Sequence, residues 1–143
     1  MGRVNRFEMD LDLAQRMCTE AIVAATRKGA LVSVAVVDGG GHLVAFARMD
    51  GAEIAGPVLA PDKAYTAVAH RIGTHELTEL VAPGADLAGM TSADHGRFIA
   101  FAGGLPLWDG DRVVGGVGVS GGTGSQDQAA AQAAVTLFQS ECP

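Results

Sequence analysis

Apolar positions along the chain change their spacing several times, which divides the sequence into helical and extended segments. Between residues 10 and 27 they recur every three or four positions, the pattern of an amphipathic helix that ends at Lys28 and Gly29. Residues 31–37 and 43–48 are short apolar runs separated by an aspartate and three glycines. This pattern predicts two strands joined as a hairpin.

The middle of the chain returns to helical spacing. It predicts a short helix at 53–59, a second at 61–72 with Pro61 in its first turn, and a third at 74–80 that Thr74 caps. Residues 85–96 show no clear period and read as turns.

Three further strands are predicted in the C-terminal part, at 98–101, 105–108 and 112–120. Gly103 and Gly104 form a bulge or bend between the first two. A capping box that begins at Ser125 predicts a last helix to about residue 138. With strands in hairpins and helices between them, we expect a single α+β domain over residues 1–143, with about five strands in a mainly antiparallel sheet and helices packed against it.

Composition and charge narrow the function. Hydrophobic residues make up 48% of the chain and charged residues 18%, so the expected form is a folded protein that associates with itself as a homo-oligomer. The net charge of -6 and the scattered basic residues argue against nucleic acid as a partner. Without a signal peptide or a segment that could cross a bilayer, we expect no membrane partner and a cytoplasmic location. Cys18 and Cys142 have no metal-site spacing, and we predict free thiols and no metal.

Residues 113–124 read VVGGVGVSGGTG and carry the most specific pattern. Period-two alternation places Val114, Gly116, Gly118 and Ser120 on one face, which is nearly bare of side chains. Such a face permits close packing by protein or access by a ligand, and the sequence leaves both open.

The glycine turn that follows this strand, Gly121, Gly122, Thr123 and Gly124, leads directly into the last helix. Free backbone N–H groups and the helix dipole favour an anion or a carboxylate there. The lysine and hydroxyl pair of a P-loop is missing, and a plain strand-to-helix turn is the alternative.

Five motifs together resemble the GlcG/HbpS-like haem-binding protein family, which includes the C-terminal domain of PduO-type cobalamin adenosyltransferases. They are VAVVDGGG at 34–41, ARMDGA at 47–52, KAYTA at 63–67, GGLPL at 103–107 and VVGGVGVSGGTGSQD at 113–127. The resemblance implies an α+β fold with a central antiparallel sheet, close self-association and, in several members, binding of haem or a related tetrapyrrole.

Charged residues of these motifs are candidates for a ligand site by their chemistry. Arg48 and Lys63 can each pair with a propionate or a small carboxylate, or instead form ion pairs with Asp38 or Asp50. The predicted ligand-binding set is Arg48, Asp50, Lys63, Ser120, Gly121, Gly122, Thr123 and Asp127.

Three functions compete. The first is an oligomeric module that binds haem, another tetrapyrrole or a small anionic ligand. None of the four histidines, His42, His70, His75 and His95, lies in a diagnostic haem motif. The second is an enzyme that acts on a small carboxylate, lactone or ring-cleavage product by acid/base chemistry, and the third is a structural or regulatory assembly module.

Overall fold

Helix and strand positions follow the predicted pattern closely, in a computed structural model that describes residues 2–142. The elements are α1 (Leu11–Arg27), β1 (Ser33–Asp38), β2 (Leu43–Arg48), α2 (Gly56–His70), α3 (Thr74–Leu80), β3 (Gly104–Asp109), β4 (Arg112–Ser120) and α4 (Gly124–Glu141). Two single-turn 3₁₀ helices, Met90–Ser92 and Asp94–Gly96, lie in the stretch predicted as turns.

The strands form an antiparallel sheet in the order β2-β1-β4-β3. Both hairpin turns, β1 to β2 and β3 to β4, lie at one end of this sheet, which we call the hairpin end. At the other end β1 and β3 begin while β2 and β4 finish, and we call it the glycine-turn end. The α+β class is confirmed.

The strand predicted at 98–101 is wrong, and the described sheet has four strands instead of about five. The backbone of this segment is bound to side chains of neighbouring helices. Thr66 Oγ1 accepts the N–H of Ile99 at 3.0 Å, and Thr78 Oγ1 donates to the carbonyl of Ala100 at 2.7 Å. These hydroxyls take the place of a strand partner.

The predicted break between helices 53–59 and 61–72 is also wrong, because one helix, α2, runs through Pro61. Proline removes a single backbone hydrogen bond here. The neighbouring residues Ala60 and Ala64 are fully buried against the sheet, so tertiary packing holds the helix together across the proline.

The last helix begins two residues earlier than predicted. Thr123, and not Ser125, is its N-cap: the Thr123 hydroxyl accepts the N–H of Gln126, and the Gln126 side chain accepts the N–H of Thr123. The sequence therefore predicts the type of cap correctly, a capping box, but places it two residues too far along the chain.

Helices cover the sheet on both faces. α1 and α4 pack on one face, where Val34, Val36, Val117 and Val119 join a buried apolar core with Met17 and Phe138 among its largest members. α2 lies on the other face, above β4, β1 and β3.

The nearly bare face of β4 is the surface on which α2 rests, which decides between the two alternatives in favour of protein packing. A Cβ atom on Gly118 would overlap the carbonyl oxygen of Ala60, and one on Gly116 would lie 2.6 Å from the carbonyl oxygen of Ala64. The two glycines therefore let a helix backbone lie directly on the strand.

Candidate functional site

A row of three polar residues crosses the sheet at its glycine-turn end. Ser33 of β1 pairs with Arg48 of β2 on one side and with Ser120 of β4 on the other. Ser33 and Ser120 are buried, whereas Arg48 lies on the exposed edge strand and its guanidinium donates to the carbonyl of Ala52 at 2.9 and 3.2 Å. Within residues 2–142 the Ser33 hydroxyl has no hydrogen-bond partner.

Lys63 and Asp127 form an ion pair inside the protein. The Lys63 ammonium lies 3.1 Å from a carboxylate oxygen of Asp127 and donates to the carbonyl of Val119 at 2.9 Å. The Lys63 side chain is 1% exposed, and the ring centroid of Phe101 lies 4.9 Å from its nitrogen. The Lys63 ammonium therefore contacts a carboxylate, a backbone carbonyl and an aromatic ring, and its side chain is not available to solvent.

Burial opposes both charges of this pair. Loss of water lowers the pKa of Lys63, and the attraction of Asp127 partly offsets that effect. Loss of water likewise raises the pKa of Asp127, while Lys63 and the N–H of Gly122, at 2.8 Å from the second carboxylate oxygen, oppose the rise. The pair thus needs all of its hydrogen bonds, and one of them comes from the glycine turn.

Two sets of hydrogen bonds fix the glycine turn. On its buried side Asp127 accepts the N–H of Gly122, and on its exposed side Thr123 and Gln126 bind each other as the cap of α4. Gly121 has a φ of 137°, and a Cβ there would overlap the carbonyl oxygen of Leu31, so the turn needs glycine for conformation and for space.

An open cavity of about 540 Å³ lies beside this turn, and we call it the glycine-turn cavity. It is lined by Gly29, Ala30, Leu31, Gly51, Glu53, Gly121, Gly122, Thr123 and Gln126.

The predicted site residues divide into three groups. Gly121, Gly122 and Thr123 line the cavity directly. Lys63, Ser120 and Asp127 are buried and do not line it, so they support it from inside. Arg48 and Asp50 are exposed and precede Gly51, which lies on the cavity wall.

Sequence reasoning missed Ser33, Leu31 and Glu53. Ser33 had a usable signal, because it is the one polar residue in the apolar run 31–37. Leu31 and Glu53 have none, since only the pairing of distant segments brings them to the glycine turn.

The two hydroxyls of the glycine-turn motif lack a hydrogen-bonded base among the described residues. The Thr123 hydroxyl contacts the N–H of Gln126 and the hydroxyl of Ser125, and neither it nor Ser120 is hydrogen-bonded to a histidine in residues 2–142. Over the same residues, no cluster of three metal-ligating side chains occurs, and no helix has the length and hydropathy of a membrane span.

This fold and these sites define an α+β protein with helices on both faces of an antiparallel sheet and a cavity at the glycine-turn end. Residues 9–136 match the family model described as "Haem degrading protein HbpS-like". The chain belongs to the HbpS-like family.

Known proteins similar to this chain share both its sequence and its fold. An uncharacterized 15.0 kDa protein in the dhaT-dhaS intergenic region of Citrobacter freundii is 40% identical over 128 residues, 90% of each chain. The crystal structure of the Klebsiella pneumoniae protein ORFY superposes with a TM-score of 0.92 at 38% identity, covering 97% of each chain. The PduOC:heme complex superposes with a TM-score of 0.87 at 36% identity, covering 92% of this chain and 95% of that one.

Proposed function

We propose that this protein binds haem or a related tetrapyrrole, as a small carboxylate-bearing ligand, in the glycine-turn cavity. The observation that carries the proposal is the cavity itself, which has about 540 Å³ of space and is lined by Gly121, Gly122 and Thr123, within the segment that the family model matches. The structural similarity to a protein in complex with haem supports the choice of ligand.

The cavity offers one exposed apolar side chain and the positive end of a helix dipole. Its one charged lining residue, within residues 2–142, is the carboxylate Glu53, and the N–H groups of Gly122 and Thr123 already bind Asp127 and Gln126, so a propionate needs a cation from outside the lining. Leu31 is 49% exposed and its side chain presents apolar surface to the flat ring of a tetrapyrrole, while Ala30 beside it is buried. The positive end of the α4 dipole lies at Gly124, next to Thr123 on the cavity wall, and favours a propionate. Arg48, at the end of β2, is the cation that we assign to a second propionate, and Asp50 borders the entrance.

The residues of the cavity fit the organic part of haem and do not provide a histidine for its iron. Its lining side chains with lone pairs are Glu53, Thr123 and Gln126, and none of the four histidines lies among the lining residues. The tetrapyrrole ring and its propionates therefore make the contacts that hold the ligand. No histidine of this chain binds the haem iron.

Titration of the purified protein with haemin tests the proposal. We expect a sharpened Soret band that saturates, weaker binding in Arg48→Gln and Leu31→Asp, and unchanged binding in the matched variant Arg27→Gln, whose arginine lies in the last turn of α1. Variants of His42, His70, His75 and His95 should keep the band. Absence of saturable binding, or its loss in one of the histidine variants, would contradict the proposed site.

A further inference from the structure

A second cavity, of about 470 Å³, lies at the hairpin end of the sheet, opposite the glycine-turn cavity. The segment before α1, the end of α2 and the β3 to β4 turn enclose it. We call it the arginine cavity, because Arg6, Arg71 and Arg112 all line it.

The charges around this cavity are unbalanced. Three arginines face a single carboxylate, Asp109, in a chain with ten basic residues and a net charge of -6. Within residues 2–142 the side chains of Arg6 and Arg71 form no hydrogen bond or ion pair, and Arg112 donates once, to the carbonyl of Asn5 at 3.2 Å. Three guanidinium groups beside one cavity, two of them with every donor free among the described residues, give an anion several groups to bind.

Arg71 is placed at the cavity by an unusual backbone conformation. It follows the last residue of α2 with φ 56° and ψ 43°, in the left-handed region that glycine adopts most readily at helix ends. The helix dipole favours a cation at this position, but it does not explain why Arg6 and Arg112, from two other segments, line the same cavity.

The remaining walls are apolar. Phe7, Val68 and Val113 line the cavity beside the arginines, and the Phe7 ring is fixed in edge contact with Phe138 at 5.7 Å between centroids. The cavity therefore combines a cationic rim with an apolar surface. Guanidinium groups bind carboxylate and phosphate oxygens in bidentate pairs.

We propose that the arginine cavity binds a small organic dianion with an apolar body, held through a phosphate or a pair of carboxylates by Arg6, Arg71 and Arg112. Phosphate esters and aromatic dicarboxylates share this chemistry. The arginine cavity lies at the opposite end of the sheet from the proposed haem site. Failure of one proposal therefore leaves the other unaffected.

Isothermal titration calorimetry of the whole protein with phenyl phosphate and with phthalate tests the inference. We expect saturable one-to-one binding of at least one of them, and the tighter of the two identifies the anionic group. Benzoate, with one charge, and inorganic phosphate, without an apolar body, should bind more weakly. Arg71→Gln and Arg112→Gln should each weaken binding at least about tenfold, the loss expected for a charged hydrogen bond.

Arg27→Gln removes the same charge from an exposed helix position outside the cavity and should bind like the unmodified protein. Arg6→Gln changes a residue in the segment before α1, so its effect is independent of any disturbance of the helix end at Arg71. The inference is overturned if neither dianion binds, if benzoate and inorganic phosphate bind equally well, or if Arg27→Gln weakens binding as much as Arg6→Gln and Arg71→Gln.

Discussion

Lys63 of α2 and Asp127 of α4 meet across the end of β4, with 3.1 Å between ammonium nitrogen and carboxylate oxygen. The lysine also holds the carbonyl of Val119, and the aspartate holds the N–H of Gly122. Helices on opposite faces of the sheet are thus joined through the strand between them and the turn that follows it. The shape of the glycine-turn cavity depends on this connection.

Removing one partner of this pair should destabilise the protein strongly. Lys63→Met leaves the Asp127 carboxylate buried without its cation, and Asp127→Leu leaves the ammonium alone, so each should lower the free energy of unfolding by about 3–5 kcal/mol. The double variant should cost less than the sum of the two, because it leaves no uncompensated charge. Urea unfolding of the four proteins measures the coupling, and strictly additive losses would show that the pair does not act as a unit.

The contact between α2 and β4 predicts that a single methyl group at Gly118 is harmful. Gly118→Ala introduces a Cβ that overlaps the Ala60 carbonyl, and we expect a loss of about 1–3 kcal/mol from the overpacked interface. Gly124→Ala is the matched control, since its Cβ would meet Ala102 at an ordinary 3.7 Å. Thermal unfolding compares the two. Equal stability of both variants would mean that α2 can move off the strand without cost.

The position of the α4 cap can be tested with two alanines. Thr123→Ala removes the oxygen that accepts the N–H of Gln126 and should cost about 1 kcal/mol. Ser125→Ala, two residues inside the cap, should change the free energy of unfolding by less than about half of that. The opposite order of the two losses would restore Ser125 as the N-cap.

His70 should make the protein less stable in mild acid. Its ring packs edge-on against Phe98 at 4.5 Å between centroids, and burial lowers its pKa below the ordinary value of 6.5. An unfolded chain therefore takes up this proton at a higher pH than the folded one. The stability is complete above pH 6.5 and decreases as the pH falls through the lower pKa of the folded state.

An NMR titration of the imidazole signals measures the pKa of His70, and His70→Phe should remove its part of the acid destabilisation. His95 is exposed and forms no hydrogen bond or ion pair within residues 2–142, and its replacement by asparagine, which tolerates the left-handed backbone at this position, serves as the control. A pKa for His70 above 6.5 would reverse the predicted sign.

The sequence predicted α1, β2 and β4 nearly to the residue because their periodicity and their glycine boundaries agree. It failed where long-range contacts decide the local structure. Residues 98–101 have the composition of a strand, yet hydroxyls of α2 and α3 bind their backbone, and α2 continues through Pro61 because β4 supports it.

The sequence predicts which residues belong to the candidate site better than it predicts how they are arranged. The motifs contained both partners of the Lys63 and Asp127 pair, but their spacing cannot tell a buried ion pair from two ligand-binding groups. The arginine cavity gave no sequence signal at all. Its three arginines come from three distant segments and share one space only after the chain has folded.

α2 runs from the glycine-turn end of the sheet to the hairpin end, and its 15 residues at 1.5 Å each span about 22 Å. The glycines of β4 bring the strand backbone into close contact with this helix, so a movement of the helix across the strand would have to break that contact. The helix therefore sets the distance between the two ends of the sheet. For this reason we expect a ligand at one end to leave the affinity at the other end unchanged, with a coupling free energy near zero.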